Sequence, residues 1–117
     1  MGNLSGTKIL YIEDSETQRQ LVKSIIEDEC GFQVDAVATG VEGLKTWAAG
    51  SYDVLAVDYE LPDMNGINIC HTILSEQPDL PIVMVTGKGD ESIAAEALNL
   101  GVSHYITKSS PTIFMSL

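Results

Sequence analysis

Apolar residues recur along the chain in two rhythms. Residues 8–12, 54–57, 82–85 and 104–107 are short runs rich in Ile, Val, Leu and Tyr, the second and third of them apolar without interruption. Such runs predict strands buried on both faces, as in a parallel sheet. Residues 32–37 alternate instead, Phe32, Val34 and Ala36 against Gln33 and Asp35, which predicts a half-buried strand at an edge. Between these runs the period lengthens to that of a helix. Leu21, Val22, Ile25 and Ile26 form one stripe, and Leu44, Trp47 and Ala48 a second. Ile69, Cys70, Ile73 and Leu74 form a third, and Ile93, Ala94, Ala97 and Leu98 a fourth. Ile113, Phe114 and Leu117 begin a fifth.

The punctuation agrees with the periodicity. Ser15 with Gln18, and Thr39 with Glu42, have the spacing of capping boxes, and Asp90 stands ahead of the fourth stripe as its cap. Gly31, Gly50 and Gly101 close the first, second and fourth helices. The third is expected over about 66–77, ahead of Pro78 and Pro81, and Ser110-Pro111 has the form of an N-cap with proline at the first helical position. Strand and helix alternate five times, which predicts an α/β fold: a doubly wound parallel sheet, helices on both faces, right-handed crossovers. The last helix is barely begun at Leu117. Residues 1–117 are therefore expected to be one domain and a fragment of a longer multidomain protein. The face carrying the Leu21 and Ile25 helix should be poorly covered. Lowered stability, or a dimer formed through exposed apolar surface, is the expected consequence.

Composition narrows the function classes. Six basic residues against 17 acidic ones give a formal net charge of −11 over 117 residues. Nucleic-acid binding rests on Lys and Arg neutralising phosphates, so this domain is not expected to bind DNA or RNA directly. Divalent cations and basic partner surfaces suit it better. No apolar run approaches the roughly 20 residues of a membrane span, and the first seven residues lack the apolar core of a secretory signal. The expected location is cytoplasmic. Cys30 and Cys70 have neither C-x-x-C spacing nor a histidine at zinc spacing. They read as two reduced thiols near packed helices, with a disulfide as the alternative.

Chemistry concentrates where the inner strands end. Residues 8–12 lead into Glu13-Asp14, residues 54–57 into Asp58, residues 82–85 into Thr86, and residues 104–107 into Lys108. In a parallel sheet these endings share the carboxyl edge, where open α/β sheets bind their ligands. Each residue alone has an ordinary explanation as a helix cap, turn residue or solvated charge. Together they bring three acids, a hydroxyl and an ammonium to one edge. Carboxylates within about 4–6 Å repel by a few kcal/mol at an effective dielectric near 20, which a hard divalent cation relieves. Mg²⁺ takes one or two carboxylates together with waters and phosphate oxygens. Asp14 and Asp58 are the candidate metal ligands, and the second oxygen of Asp58 is a candidate nucleophile toward phosphorus. Lys108 would offset anionic charge, and the Thr86 hydroxyl would donate to a new phosphoryl oxygen. The residues read as a phosphoryl-accepting aspartate.

Glu13-Asp14, Asp58 followed by Leu61-Pro62-Asp63-Met64-Asn65-Gly66, Thr86-Gly87 and Tyr105-Ile106-Thr107-Lys108 resemble, in combination and order, the receiver domains of two-component response regulators. The resemblance covers essentially residues 8–108. It implies a flavodoxin-like five-stranded sheet in order 2-1-3-4-5, with Asp58 phosphorylated by a histidine kinase or histidine phosphotransfer protein. It further implies Mg²⁺, replaceable by Mn²⁺, held by Asp14, Asp58 and the backbone carbonyl of Glu60, with Glu13 acting through water. Thr86 and Tyr105 would be the switch pair, and an output domain in cis or a partner protein would read the switch. The chain departs from the family pattern at Glu13 (usually Asp), Gly87 (commonly Ala), Ser109 (usually proline) and the shortened last helix. Glu60 and Lys88, each two residues beyond a site residue, are expected to pair across the mouth of the site and slow water attack.

Other functions fit less of the chain. Hydrolases of the haloacid dehalogenase type also use an aspartyl phosphate, Mg²⁺, Thr or Ser, and Lys. Their nucleophile usually follows the first strand, within a longer chain. Flavodoxin-type electron carriers need a phosphate-binding loop where Glu13-Asp14 stands. A receiver-like module that binds partners without phosphorylation would not need the acidic pocket, Thr86 or Lys108. The expectation is a signalling phosphoacceptor rather than an enzyme in its own right.

Overall fold

The computed structural model describes residues 6–87 and 91–107. The runs that carry little polarity become inner strands. β1 (Lys8–Ile12), β3 (Val54–Asp58) and β4 (Ile82–Thr86) lie side by side, flanked by β2 (Gln33–Val37) and β5 (His104–Thr107). All four pairings are parallel, and the order is β2-β1-β3-β4-β5. This is the doubly wound, flavodoxin-like sheet expected. Helices α1 (Glu16–Ile25), α2 (Gly40–Ala49), α3 (Gly66–Glu76) and α4 (Glu91–Leu100) alternate with the strands.

Successive strand residues point to opposite faces, so each inner run feeds two cores. Leu10, Ile12, Leu55, Val57, Ile82 and Met84 pack with Ile69, Cys70 and Ile73 of α3 and Ala97 of α4. Ile9, Tyr11, Ala56, Val83 and Val85 pack with Val22 and with Ile26, the residue after α1. An apolar groove of about 370 Å³ lies on this second face, lined in part by Phe32, Val54, Val83 and Ile106. Burial of roughly 1.5–3 kcal/mol per large aliphatic side chain on both faces is what holds the inner strands. The edge strand β2 is tied down differently. Lys23 of α1 donates to the Val34 carbonyl and pairs with Glu27 at 3.2 Å, while a Glu27 oxygen accepts the Val34 amide.

Helix boundaries follow their caps. Ser15, Thr39 and Asn65 accept amides three residues on, from Gln18, Glu42 and Asn68. After Ile25 the first helix widens into a π turn, Ile26–Cys30, and stops at Gly31, whose φ of 72° is left-handed. The helical stripes are narrower than their sequences suggest. Leu21 and Leu98 are about half exposed and Ala48 is exposed, although each lies in an apolar stripe. The α2 interface instead centres on glycines. A Cβ on Gly43 would overlap Ile12, and one on Gly40 would lie 2.5 Å from Met64 Cγ. The expected cap Asp90, and Lys88, Lys108, Ser109 and the fifth helix, lie outside the described residues. Both cysteines are free thiols, Cys70 buried and Cys30 exposed, so the disulfide alternative falls away.

Candidate functional site

Register brings the strand ends level. Ile12 sits opposite Val57, Asp58 opposite Val85, and Thr86 opposite Thr107. The ladder runs one residue past each of two strands, with the Glu13 amide on Val37 O at 3.0 Å and the Tyr59 amide on Val85 O at 3.1 Å. Glu13 and Asp58 are therefore held on rigid backbone at the carboxyl edge. Glu13, Asp58 and Thr86 are buried, while Asp14 is exposed.

One carboxylate oxygen from each of Glu13, Asp14 and Asp58 lies within 4.8 Å of the others. Oxygens around Mg²⁺, bonded at 2.0–2.1 Å, stand about 3 Å apart when adjacent and about 4 Å apart when opposite. The all-oxygen donor set and its spacing suit a hard divalent cation, reached directly or through water. Among the described residues nothing softer than carboxylate contributes, which disfavours copper and the thiolate and imidazole sites typical of zinc.

Glu13 is held by both of its carboxylate oxygens. Its Oε1 accepts from the Tyr11 hydroxyl at 3.3 Å and its Oε2 from the Ser15 amide at 3.1 Å. Arg19 Nη1 donates to its backbone carbonyl at 2.7 Å, pinning the turn between β1 and α1. Burial, then the neighbouring Glu13 charge, raises the Tyr11 phenol far above its ordinary pKa, so it stays a protonated donor. Neither Tyr11 nor Arg19 stood out in sequence. Arg19, one of few basic residues and six positions beyond the acidic pair, was the available signal.

Asp58 heads a tightly folded loop. Its Oδ1 accepts the Glu60 amide at 3.2 Å, Glu60 bridges to Asn65, and the Gly66 amide donates to Tyr59 O at 2.7 Å. This return passes so near the strand end that a Cβ on Gly66 would overlap the Asp58 carbonyl oxygen. Asp63, at the outer end of the loop, accepts the amides of Gly40 and Val41 at 2.9 Å each. The Gly40 bond, then the Val41 bond, holds its carboxyl below the usual carboxylate range. Thr86 closes β4, and Tyr105 is half-buried on β5 against the larger core. The structure thus gathers Glu13, Asp14 and Asp58 into one cluster, with Thr86 at the same edge. Glu60 is exposed at the loop. Lys88 and Lys108 cannot be placed with them, being outside the described residues.

The family model described as response regulator receiver domain matches residues 9–113. The chain belongs to that family. This receiver domain is 31% identical over 108 residues to the transcriptional regulatory protein ResD of Bacillus subtilis, covering 92% of this chain and 44% of ResD. It is 34% identical to protein-glutamate methylesterase/protein-glutamine glutaminase 3 of Rhodospirillum rubrum, covering 95% of this chain but 30% of that protein. Among solved structures it matches the CheY-like receiver domain protein of Methanospirillum hungatei at a TM-score of 0.87 and 28% identity, over 95% of this chain and 89% of that one. The receiver spans less than half the length of the curated relatives it matches. No helix among the described residues is long and apolar enough to cross a membrane.

Proposed function

We propose that this receiver domain accepts a phosphoryl group on Asp58 from the phosphohistidine of a kinase or phosphotransfer protein. The observation that carries the reading is the buried Asp58 carboxylate within 4.8 Å of Glu13 and Asp14 at the carboxyl edge. In the transfer an Asp58 oxygen bonds to phosphorus, the phosphorus–nitrogen bond to the donor imidazole breaks, and the imidazole keeps that electron pair and takes up a proton. An acyl phosphate on Asp58 results. Catalysis of such a transfer is mostly positioning and charge stabilisation.

A divalent cation, Mg²⁺ or Mn²⁺, would neutralise charge between the carboxylates and the incoming phosphoryl oxygens. Asp14, Asp58 and the Glu60 carbonyl would hold it. The hydrogen bonds from Tyr11 and Ser15 keep the Glu13 carboxylate against the protein, which favours a role through water. Thr86, buried at the end of β4, would turn its hydroxyl toward the phosphoryl group, and Tyr105 would move inward behind it. Lys108 would stabilise the phosphoryl oxygens, and Glu60 with Lys88 would guard the mouth. The output, in cis or on a partner, would read the change around β4 and β5. The domain is a signalling phosphoacceptor and takes part in its own phosphorylation. Incubation with Mg²⁺ and a small phosphodonor, followed by intact mass measurement, tests this. One phosphoryl group per wild-type chain and none on Asp58→Asn is expected, and an adduct retained by the variant contradicts it.

A further inference from the structure

The loop that carries Asp58 is fastened to a third element besides its own strand and helix. Asp63 spans the first two amides of α2, accepting Gly40 N on Oδ1 and Val41 N on Oδ2, both at 2.9 Å. Thr39 takes the amide of Glu42, so the carboxylate from the loop and the cap from the helix divide the first turn between them. Beside this clamp Met64 lies where a Cβ of residue 40 would be, and only glycine leaves it that room. On its inner side the same loop closes through the Glu60–Asn65 bridge and packs Gly66 against the Asp58 carbonyl. Any shift of α2 therefore pulls on a loop whose other end holds the Glu60 amide against Asp58 Oδ1.

We propose that Asp63 is a positioning residue for the acidic site: its two bonds to α2 hold the Asp58–Gly66 loop in the geometry that binds a divalent cation, and they couple occupancy of the site to the first turn of α2. The inference rests on the reading of Glu13, Asp14 and Asp58 as a cation site. Coupling of this kind is reciprocal, so whatever tightens the loop also tightens the two Asp63 bonds to α2, and losing those bonds weakens the site. The charge of Asp63 also suits the positive end of the α2 dipole, which makes the clamp stronger than an amide in the same place.

The test compares wild type, Asp63→Ala, Asp63→Asn and Thr39→Ala. Thr39→Ala removes a cap from the same helix end without touching the loop. Mg²⁺ binding is measured by calorimetry, and the amide resonances of Gly40, Val41, Asp14 and Asp58 are followed during the titration. Wild type should bind and shift all four amides. Asp63→Ala should weaken Mg²⁺ binding about fivefold and uncouple Gly40 and Val41 from the titration. Asp63→Asn, which keeps one acceptor oxygen, should fall between, and Thr39→Ala should bind as wild type does. Equal Mg²⁺ affinity in wild type and Asp63→Ala, or equal weakening in Thr39→Ala, overturns the positioning role. Absence of binding by wild type, with Asp14 and Asp58 unmoved, overturns the cation site itself and the inference with it.

Discussion

Gly66→Ala adds a single methyl group at the start of α3, where alanine is intrinsically the better helix former by about 1 kcal/mol. The structure predicts the opposite outcome. The added Cβ would overlap the Asp58 carbonyl oxygen and lie 3.1 Å from both the Asp58 carbonyl carbon and Tyr59 Cα. These are backbone atoms, held by the Gly66 amide on Tyr59 O at 2.7 Å, so no side chain can rotate away. Overpacking costs about 1–3 kcal/mol, and rigid neighbours place this case at the upper end. Setting the helix gain against it leaves a loss of about 2 kcal/mol. With a urea dependence of about 1–3 kcal/mol per molar, the unfolding midpoint should fall by roughly 1 M. Urea unfolding followed by the emission of the single Trp47 measures this. Gly87→Ala is the control, because no atom of the described residues lies within 4 Å of a Cβ there. A Gly66→Ala midpoint equal to those of wild type and control would refute the close approach of loop and strand.

Tyr11→Phe removes one donor from a fully buried carboxylate, and a thermal melt of the metal-free protein should show a loss of about 1–3 kcal/mol. The clamp by Asp63 should be pH-dependent. Its folded pKa is depressed, so its stabilisation is present above the ordinary carboxylate pKa of about 3.9 and is lost as pH falls through the folded value. The melting difference between wild type and Asp63→Ala should hold from neutral pH down to about pH 5 and close below about pH 4. Burial pushes the Cys70 thiol up to about 12, so a disulfide reagent at neutral pH should modify the exposed Cys30 quickly and Cys70 only on unfolding. Two fast equivalents from folded protein would contradict the packing of α3.

Fold and site were legible in sequence to different depths, for physical reasons. Unbroken runs such as 54–57 can be satisfied only by burial on both faces, so the inner strands and the carboxyl edge followed from hydrophobicity alone. The order of the strands did not, because pairing is a long-range choice; it came with the family resemblance. Apolar identity overstated the helix interfaces, since Leu21 and Leu98 lie at stripe edges and half of each remains exposed. Glycine was the opposite case. Gly40, Gly43 and Gly66 allow close approaches that a sequence shows only as punctuation or tolerance. Asp58 and its acidic neighbours were visible because strand ends converge. Tyr11, Arg19 and Asp63 were not, because their partners are backbone groups or buried oxygens selected by register.

The central claim is that Asp58 itself forms the acyl phosphate. An acyl phosphate is reduced by borohydride to an alcohol, which would turn this aspartate into homoserine, whereas a phosphoester or phosphohistidine would not give that product. Wild-type protein treated with Mg²⁺ and a phosphodonor, reduced with borohydride and mapped by peptide mass spectrometry should carry homoserine at position 58 and aspartate at 14, 53 and 63. Homoserine at any of those other positions, or aspartate unchanged at 58 in protein shown to carry a phosphoryl group, would contradict the account.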